Sequence, residues 1–238
     1  MGCQVNKISD MSELQSTPTH GERETRLRGI GRQLGCTLSA EQSEQLLGYL
    51  ALIERWNKVY NLTAVRDPDE MLTLHLADSL AVLAPLLRWT VQRTASAKAV
   101  PLQLLDVGSG AGLPGIVIAI CCPEISVTCV DAVAKKTAFI QQVAVTLKLP
   151  NLRAVHARVE TLTSTYDVVC SRAFSSLVDF TAWSSKALAP DGVWLAMKGK
   201  PPADELAALP DSVEVFHVEP IVVPGLEAQR CIVWMRRK

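Results

Sequence analysis

The stretch with the clearest chemical signature is a glycine-rich loop that follows an apolar run. Residues 104–116 read LLDVGSGAGLPGI, which places Gly108, Gly110 and Gly112 shortly after Asp106. Glycine permits sharp turns and lets the backbone approach a ligand closely. In open α/β sheets, ligands bind where such a loop joins a strand to the next helix. The spacing therefore predicts a cofactor site, with Gly110 in the backbone that approaches the cofactor.

Two classes of cofactor fit the glycine spacing. Gly110 to Gly115 satisfy the dinucleotide pattern G-x-G-x-x-G, and Asp131 follows about 20 residues later, where an acid that binds a ribose is expected. However, Asp106 would repel a pyrophosphate, whereas it suits the cationic amino-acid tail of S-adenosylmethionine. The residues favour a methyltransferase, with Asp131 on the ribose hydroxyls and Asp106 near the ammonium group. An NAD-dependent oxidoreductase and a non-catalytic protein that keeps a cofactor fold remain alternatives.

The sequence also restricts the methyl acceptor. Amine methylation commonly uses an Asn/Asp-Pro-Pro-aromatic tetrapeptide, but the Pro-Pro pair here lies in KPPA at 200–203. Pyrimidine C5 methylation needs a cysteine nucleophile, and Cys170 lacks the Pro-Cys pairing of such enzymes. Guanine N7 carries a lone pair and no proton, so alignment and electrostatics suffice there. No catalytic residue is therefore assigned.

Short apolar runs alternate with helical stretches after residue 100. This alternation predicts a parallel sheet with crossover helices. Two further runs separated only by a loop predict a hairpin that adds an antiparallel strand at the sheet edge. The expected fold is α/β and Rossmann-like, with a seven-stranded, mostly parallel sheet. The seven runs are 102–107, 125–130, 152–156, 166–171, 192–197, 213–218 and 229–235.

The chain before the sheet divides into two parts. Residues 1–35 are polar and lack the apolar segment of a secretory signal, which predicts a disordered leader. Residues 36–100 predict a helical extension, because Ser39 with Gln42 and Asp67 with Glu70 give helix-start signals. Residues 101–238 are the predicted methyltransferase domain.

Composition restricts location and partners. The chain is 48% hydrophobic and 20% charged, which is typical of a globular protein, and no apolar stretch is expected to span a membrane. Lysine plus arginine equals aspartate plus glutamate at 24 each, so composition gives no electrostatic argument for nucleic acid. The seven cysteines show no metal-binding spacing and are interpreted as reduced core residues. We expect a cytoplasmic protein without metal or membrane contacts.

Several other side chains are expected to have a role in packing and not in catalysis or binding. His75, Asp78 and Ser79 are expected in a polar junction between the helices and the sheet, and Trp56 and Tyr60 in the core. A group of basic residues could form a solvated face or could contact phosphates. These residues are Lys135, Lys136, Lys198, Lys200 and the tail 236–238.

From about residue 40 to the C-terminus, the chain resembles the RsmG (GidB) family of bacterial 16S rRNA guanine-N7 methyltransferases. The resemblance implies a cytoplasmic class I enzyme that uses S-adenosylmethionine to methylate N7 of a guanine in the 530 loop of 16S rRNA. Its partner would be 16S rRNA or the small ribosomal subunit, and it would act as a monomer. The segments that carry the resemblance are WNKVYNLTAVRDPDEML, HLADS, LLDVGSGAGLPGI, VTCVDAVAKKTAFI, ARVE, SRAFSSL and LAMKGK.

The resemblance also implies site residues. In that family, the cofactor is held by the positions that match Gly108, Leu113, Val159, Glu160 and Arg172. Two departures from the family pattern stand out: Ala111 replaces a proline that is often found in the loop, and Cys231 follows Gln229-Arg230 where a histidine is frequent.

Overall fold

A seven-stranded sheet forms the centre of this computed structural model, which describes residues 18–94 and 101–238. The strand order is β3-β2-β1-β4-β5-β7-β6. The first five strands are parallel, and β7 pairs antiparallel with both β5 and β6. The strands are β1 (Gln103–Val107), β2 (Ser126–Asp131), β3 (Leu152–His156), β4 (Tyr166–Arg172), β5 (Leu188–Lys198), β6 (Val213–Ile221) and β7 (Arg230–Arg237).

The predicted fold class is confirmed, and each predicted run coincides with one strand. The largest difference is at β5, which begins at Leu188, four residues before the expected start. The order in which strands are added to the sheet reverses between the parallel strands β1 and β4, and this creates a crevice at their carboxyl ends. The glycine loop lies at this crevice.

The N-terminal helices cover one face of the sheet and share its core. The Ser39 and Gln42 capping box is present at the start of the second helix, and the Asp67 carboxylate caps the third. The elements are α1 (His20–Gln33), α2 (Ala40–Tyr60), α3 (Pro68–Met71), a π-helix (Leu72–Ala77), α4 (Asp78–Leu80) and α5 (Leu83–Thr94).

The leader is shorter than predicted. Helix α1 begins at His20 with a capping box formed by Thr19 and Glu22. Leu27 is fully buried, and Arg26 Nη2 donates to Thr73 Oγ1 at 2.9 Å. The expectation of disorder up to residue 35 is therefore wrong for residues 18–35, whereas 1–17 lie outside the described residues. Helix α5 continues to Thr94, and residues 95–100 also lie outside the described residues.

One helical run resembles a membrane span in its length and composition only. The helical run Pro68–Arg93 is long and apolar enough to cross a membrane by length and composition, with a mean hydropathy of 1.4. However, 78% of its most apolar window is buried inside the protein. A helix that is buried on most sides is apolar all round, so this composition is that of a core helix.

The remaining helices connect the strands and complete the two faces. Along β1, Leu104 contributes to the core shared with the N-terminal helices and Leu105 to the core on the opposite face. This alternation follows from the two-residue period of a strand. The helices are α6 (Gly115–Cys121), α7 (Ala134–Thr146), α8 (Leu177–Ser184) and α9 (Ala203–Ala207).

Candidate cofactor and acceptor site

The glycine loop leaves β1 in a conformation that only glycine adopts without strain. Gly108 and Gly110 have φ angles of +64° and +60°. A Cβ atom built on Gly110 would meet no atom nearer than the Gly108 carbonyl oxygen, 3.9 Å away. The space beside Gly110 is therefore open, and the backbone there is accessible to a bound molecule.

Asp131, at the end of β2, is joined to this loop. Its Oδ2 atom accepts a hydrogen bond from the Gly110 N–H at 3.0 Å, and its Oδ1 atom accepts one from the Val133 N–H at 2.9 Å. Lys136 Nζ lies 3.6 Å from Oδ2. The carboxylate thus fixes the glycine loop and the start of α7, while the residue also lines a cleft.

Asp106 is turned away from the surface. Its Oδ2 atom accepts a hydrogen bond from the Gly115 N–H at 2.9 Å, and the side chain is fully buried. Its Oδ1 atom has no hydrogen-bond partner in residues 18–94 and 101–238. Burial raises the pKa of Asp106 to about 7. This position differs from the expected one near a cofactor ammonium group, because the carboxylate holds the start of α6.

A first cleft opens on the β2 side of the glycine loop. It contains Asp131 together with Val159 and Glu160, which follow β3 in a short 3-10 helix. Two aromatic side chains complete it, Phe174 and Trp183, whose ring centroids are 5.6 Å apart. The cleft thus combines carboxylates with an apolar wall, a combination that suits a nucleoside.

A second cleft lies on the other side of the loop. Arg172, from the end of β4, forms its basic part, and His75 and Thr63 form a polar part. Its other lining residues are Leu62, Gly108, Ser109, Gly110, Ala111, Leu113 and Ala173. Gly108 belongs to both clefts, which therefore meet at the glycine loop.

All seven sequence-predicted cofactor residues line these two clefts. Asp131, Val159 and Glu160 are in the first cleft, whereas Gly110, Leu113 and Arg172 are in the second. Gly108 is in both. Residues that are up to 64 positions apart in the sequence, Gly108 and Arg172, thus lie around one loop.

Arg172 is held in place by an ion pair that the sequence did not reveal. Its Nη1 atom donates to Asp78 Oδ2 at 3.0 Å and to the Leu74 carbonyl oxygen at 2.9 Å. The other carboxylate oxygen of Asp78 accepts from Arg230 Nε at 2.8 Å. Asp78 is buried, with both its oxygens occupied by arginines. This carboxylate therefore joins the helical extension to β4 and β7.

His75 is a buried histidine with one unsatisfied nitrogen. Its Nε2 atom lies 2.9 Å from Thr63 Oγ1, while Nδ1 has no partner among the described residues. Burial, followed by the nearby Arg172 charge, lowers the pKa of His75. The neutral imidazole presents polar atoms to the second cleft without adding a second positive charge there.

Sequence reasoning missed Phe174, Trp183 and Thr63 as lining residues. Phe174 follows Arg172 by two residues in SRAF, and a positive charge close to an aromatic residue at a strand end could have indicated it. Trp183 and Thr63 carry no comparable signal, because they reach the clefts only through the packing of α8 and of the segment after α2.

The six cysteines of the described residues are free thiols, and four of them are buried. Cys170 is fully buried, and burial raises the pKa of its thiol well above the usual value, so a reactive thiolate is disfavoured. No disulfide links the six cysteines of the described residues. Within 18–94 and 101–238, no group of three or more His, Cys, Asp or Glu side chains could hold a metal ion.

The sheet topology and the site define a class I methyltransferase fold. The structure is similar to that of TrmN from Thermus thermophilus, with a TM-score of 0.50 and 19% sequence identity over 70% of this chain and 53% of that chain. The antiparallel β7 between β5 and β6 distinguishes this order from that of the NAD-binding fold, whose sixth strand follows directly after the fifth.

Within this class, the chain belongs to the GidB family, described as rRNA small subunit methyltransferase G, whose pattern matches residues 42–233. The chain is 64% identical to the ribosomal RNA small subunit methyltransferase G of Acidovorax sp. (strain JS42) over 88% of this chain and 93% of that protein. It is also 64% identical to the protein of that name from Albidiferax ferrireducens, over 91% and 98% of the two chains. The resemblance seen in the sequence is confirmed.

Proposed function

We propose that this protein transfers a methyl group from S-adenosylmethionine to N7 of a guanine in the 530 loop of 16S rRNA. The observation that carries the proposal is the meeting of two clefts at Gly108 in a chain of the GidB family. One cleft suits a nucleoside, and the other has room for an acceptor beside the same loop.

Seven residues would hold the cofactor. The open space at Gly110 fits a ligand that lies against the backbone, and a Cβ atom there would enter that space. Asp131 is placed to accept hydrogen bonds from ribose hydroxyls with the lone pairs that Gly110 and Val133 leave free. When bound, S-adenosylmethionine supplies an electrophilic methyl group on a sulfonium. The seven residues are Gly108, Gly110, Leu113, Asp131, Val159, Glu160 and Arg172.

The protein's own role in the reaction is to orient and to exclude water. The second cleft has no carboxylate or thiolate in its lining, Arg172 there is paired with Asp78, and His75 already bonds to Thr63. Guanine N7 needs no base, because it carries no proton. The site therefore acts through alignment and electrostatics. We further propose that the protein works in the cytoplasm as a monomer, with no metal and no membrane contact.

The test is methyl transfer to RNA. Small ribosomal subunits that lack the modification are incubated with the protein and isotope-labelled S-adenosylmethionine, and the labelled nucleotide is mapped by mass spectrometry. We expect one labelled guanine, in the 530 loop. Label elsewhere would contradict the proposed target. No label on free rRNA or on subunits would favour a non-catalytic binding protein.

A binding experiment separates this function from the NAD-dependent alternative. We expect calorimetry to detect binding of S-adenosylhomocysteine and no binding of NAD at the same concentrations. The antiparallel β7 between β5 and β6 argues against the NAD-binding fold. Saturable NAD binding that S-adenosylhomocysteine does not displace would contradict the proposal.

A further inference from the structure

A row of aromatic rings leads from the glycine loop to the protein surface. Tyr49 Oη donates to the Ala111 carbonyl oxygen at 2.7 Å, which ties α2 to the loop. The centroids of Tyr49 and Phe139 are 6.3 Å apart, and those of Phe139 and Trp56 are 5.4 Å apart. Tyr60 follows Trp56 at 5.0 Å and ends the row.

Tyr60 is the exposed member of this row. It is 43% exposed, although Trp56 supports one side of its ring. This degree of exposure differs from the core position expected for it from the sequence. It lies in the last turn of α2, two residues before Leu62, which lines the second cleft. The exposed ring of Tyr60, which packs on Trp56, is therefore only two residues along the chain from the lining of the second cleft.

Three basic residues belong to the elements around the exposed end of this row, namely α2, the segment that follows it and α7. Lys58 is exposed and forms no ion pair among the described residues. Arg66 donates to two neutral oxygens, the Asn57 carbonyl oxygen at 3.0 Å and Asn61 Oδ1 at 2.6 Å. Neither of these partners balances the positive charge of its guanidinium group. Lys135 precedes Phe139 by four residues on α7, which puts both on one face of that helix.

Three of the other basic residues considered from the sequence are paired or bonded elsewhere. Lys198 Nζ is 2.8 Å from Glu205 Oε2 and mostly buried, and Arg236 Nε is 2.7 Å from Glu214 Oε2. Arg237 bonds to the carbonyl oxygens of Ser185 and Leu188 at the amino end of β5. Because β7 runs antiparallel to β5, the C-terminal tail lies at the amino ends of the parallel strands, and the glycine loop lies at their carboxyl ends.

We propose that Tyr60, Lys58, Arg66 and Lys135 form a docking surface for unpaired rRNA next to the methylated guanine. Tyr60 stacks on a neighbouring base, and the three cations contact backbone phosphates. Unpaired RNA suits this surface because it offers free base faces, and stacking with cations is the general means of binding single strands. This inference rests on the proposed function and extends it to how the substrate is held. A local cluster also explains how a chain of zero net charge binds RNA.

The experiment measures RNA binding, cofactor binding and methyl transfer separately. The RNA is a 16S rRNA fragment that contains the 530 loop, with affinity measured by filter binding across a range of KCl concentrations. The variants are Tyr60→Ala, Tyr60→Phe and the pair Lys58→Ala/Lys135→Ala. The matched control is Lys186→Ala/Arg153→Ala, which removes two exposed charges near the amino ends of β5 and β3.

For the aromatic ring, we expect Tyr60→Ala to weaken RNA binding about tenfold or more. Tyr60→Phe keeps the ring and should stay within about twofold of the wild type. Affinity for S-adenosylhomocysteine should be unchanged in both variants, and the loss in methyl transfer should appear in KM. A merely structural role would lower cofactor affinity as well, and that result would overturn the proposal.

For the charges, the Lys58→Ala/Lys135→Ala pair should reduce the slope of log K against log[KCl] by about 1.4, at about 0.7 per phosphate contact on a single strand. The control pair should leave the slope unchanged. Equal slopes for the two pairs, or a wild type that does not bind the RNA, would overturn the docking surface. If the wild type transferred the methyl group and no variant changed RNA binding or methyl transfer, the docking surface would be overturned but the proposed function would not. RNA binding that depends on Tyr60 but without methyl transfer would instead contradict the proposed function.

Discussion

The Asp131 carboxylate accepts a hydrogen bond from the backbone N–H of Gly110, with 3.0 Å between Oδ2 and N. The bond joins the loop after β1 to the end of β2. A residue expected from the sequence to contact only a ribose therefore also sets the shape of the glycine loop. Substitutions at either residue should consequently affect both the ligand and the loop.

At Gly110, a Gly110→Val substitution should abolish binding of S-adenosylmethionine while leaving the protein folded. Valine is strained at a φ of +60°, and its side chain would occupy the open space that the backbone offers to a ligand. We estimate a stability loss of about 1 to 3 kcal/mol. Calorimetry measures the affinity, and circular dichroism the folded state.

The matched control for this prediction is Gly29→Val. Gly29 lies in α1, where an added Cβ atom would meet nothing within 4 Å. Cofactor affinity should be unchanged in this variant. An unaltered affinity in Gly110→Val itself would mean that the cofactor does not lie against this backbone.

An Asp131→Ala substitution should weaken cofactor binding about ten- to hundredfold, because charge-assisted hydrogen bonds are worth about 1.5 to 3 kcal/mol. The midpoint of thermal unfolding should fall as well, since the Gly110 and Val133 N–H groups lose their acceptor. Asp179→Ala is a suitable control: Asp179 lies in the first turn of α8 and bonds to Ser176. A change of less than about twofold for Asp131→Ala would mean that this acid only stabilises the loop and α7.

An Asp78→Ala substitution should destabilise the protein by about 3 kcal/mol, because it leaves two partly buried arginines without their shared carboxylate. It should also weaken cofactor binding, since Arg172 loses its position. Urea unfolding of Asp78→Ala, Arg230→Ala and the double variant gives the coupling energy. We expect the double variant to be less destabilised than the sum of the single ones. Strict additivity would show that Asp78 and Arg230 do not interact.

The sheet could be predicted from the sequence because its signals are local. Each strand is an apolar run bounded by polar residues or glycine, and the capping residues Ser39 and Asp67 lie next to the helices that they start. Helix α1 escaped this reasoning because it is polar and stabilised by distant contacts, such as that between Arg26 and Thr73. The start of the run Pro68–Arg93 was predictable from its Asp67 cap, and burial on most sides accounts for its apolar composition.

The site was predictable to the extent that its residues follow strands. Gly108, Asp131 and Arg172 come at the ends of β1, β2 and β4, and parallel strands bring their carboxyl ends together. The partner of Arg172 was not predictable in this way. Asp78 is 94 residues from Arg172 and 152 residues from Arg230, so no sequence spacing links them.

Stability should depend on pH through Asp106. Burial raises its pKa from 3.8 to about 7 in the folded protein. Between these values, the unfolded chain loses the proton and the folded protein keeps it. The free energy of unfolding should therefore fall as the pH rises from about 4 to about 7, by about 1.4 kcal/mol per pH unit at most.

The comparison that isolates this effect is with Asp106→Asn, which keeps an acceptor for the Gly115 N–H but does not ionise. His75 also titrates in this range, but it is present in both proteins and its effect cancels in the difference. We expect urea unfolding without cofactor to show the wild type losing stability relative to Asp106→Asn as pH rises. A difference that is constant from pH 4.5 to pH 8 would contradict the raised pKa.

The acceptor atom itself can be tested, because guanine N7, unlike an amine, carries no proton that the protein must remove. The second cleft is lined by a neutral His75 and a paired Arg172, and Cys170 is buried with a raised pKa. No carboxylate or thiolate lines this cleft, and N7 would not need the neutral His75 as a base. Since N7 has no proton to lose, the chemical step at saturating substrates should be nearly constant with pH through the neutral range.

Replacing the target guanine by 7-deazaguanine removes the nucleophilic nitrogen but keeps the shape of the base and its Watson-Crick edge. We expect small subunits that carry this substitution to bind as well as unsubstituted ones and to accept no methyl group. Single-turnover rates and filter binding measure the two quantities on the same subunits, with unsubstituted subunits as the control. If methylation continued at the substituted nucleotide, another atom would be the acceptor. A base would then have to be found in the second cleft, with His75 as the first residue to substitute.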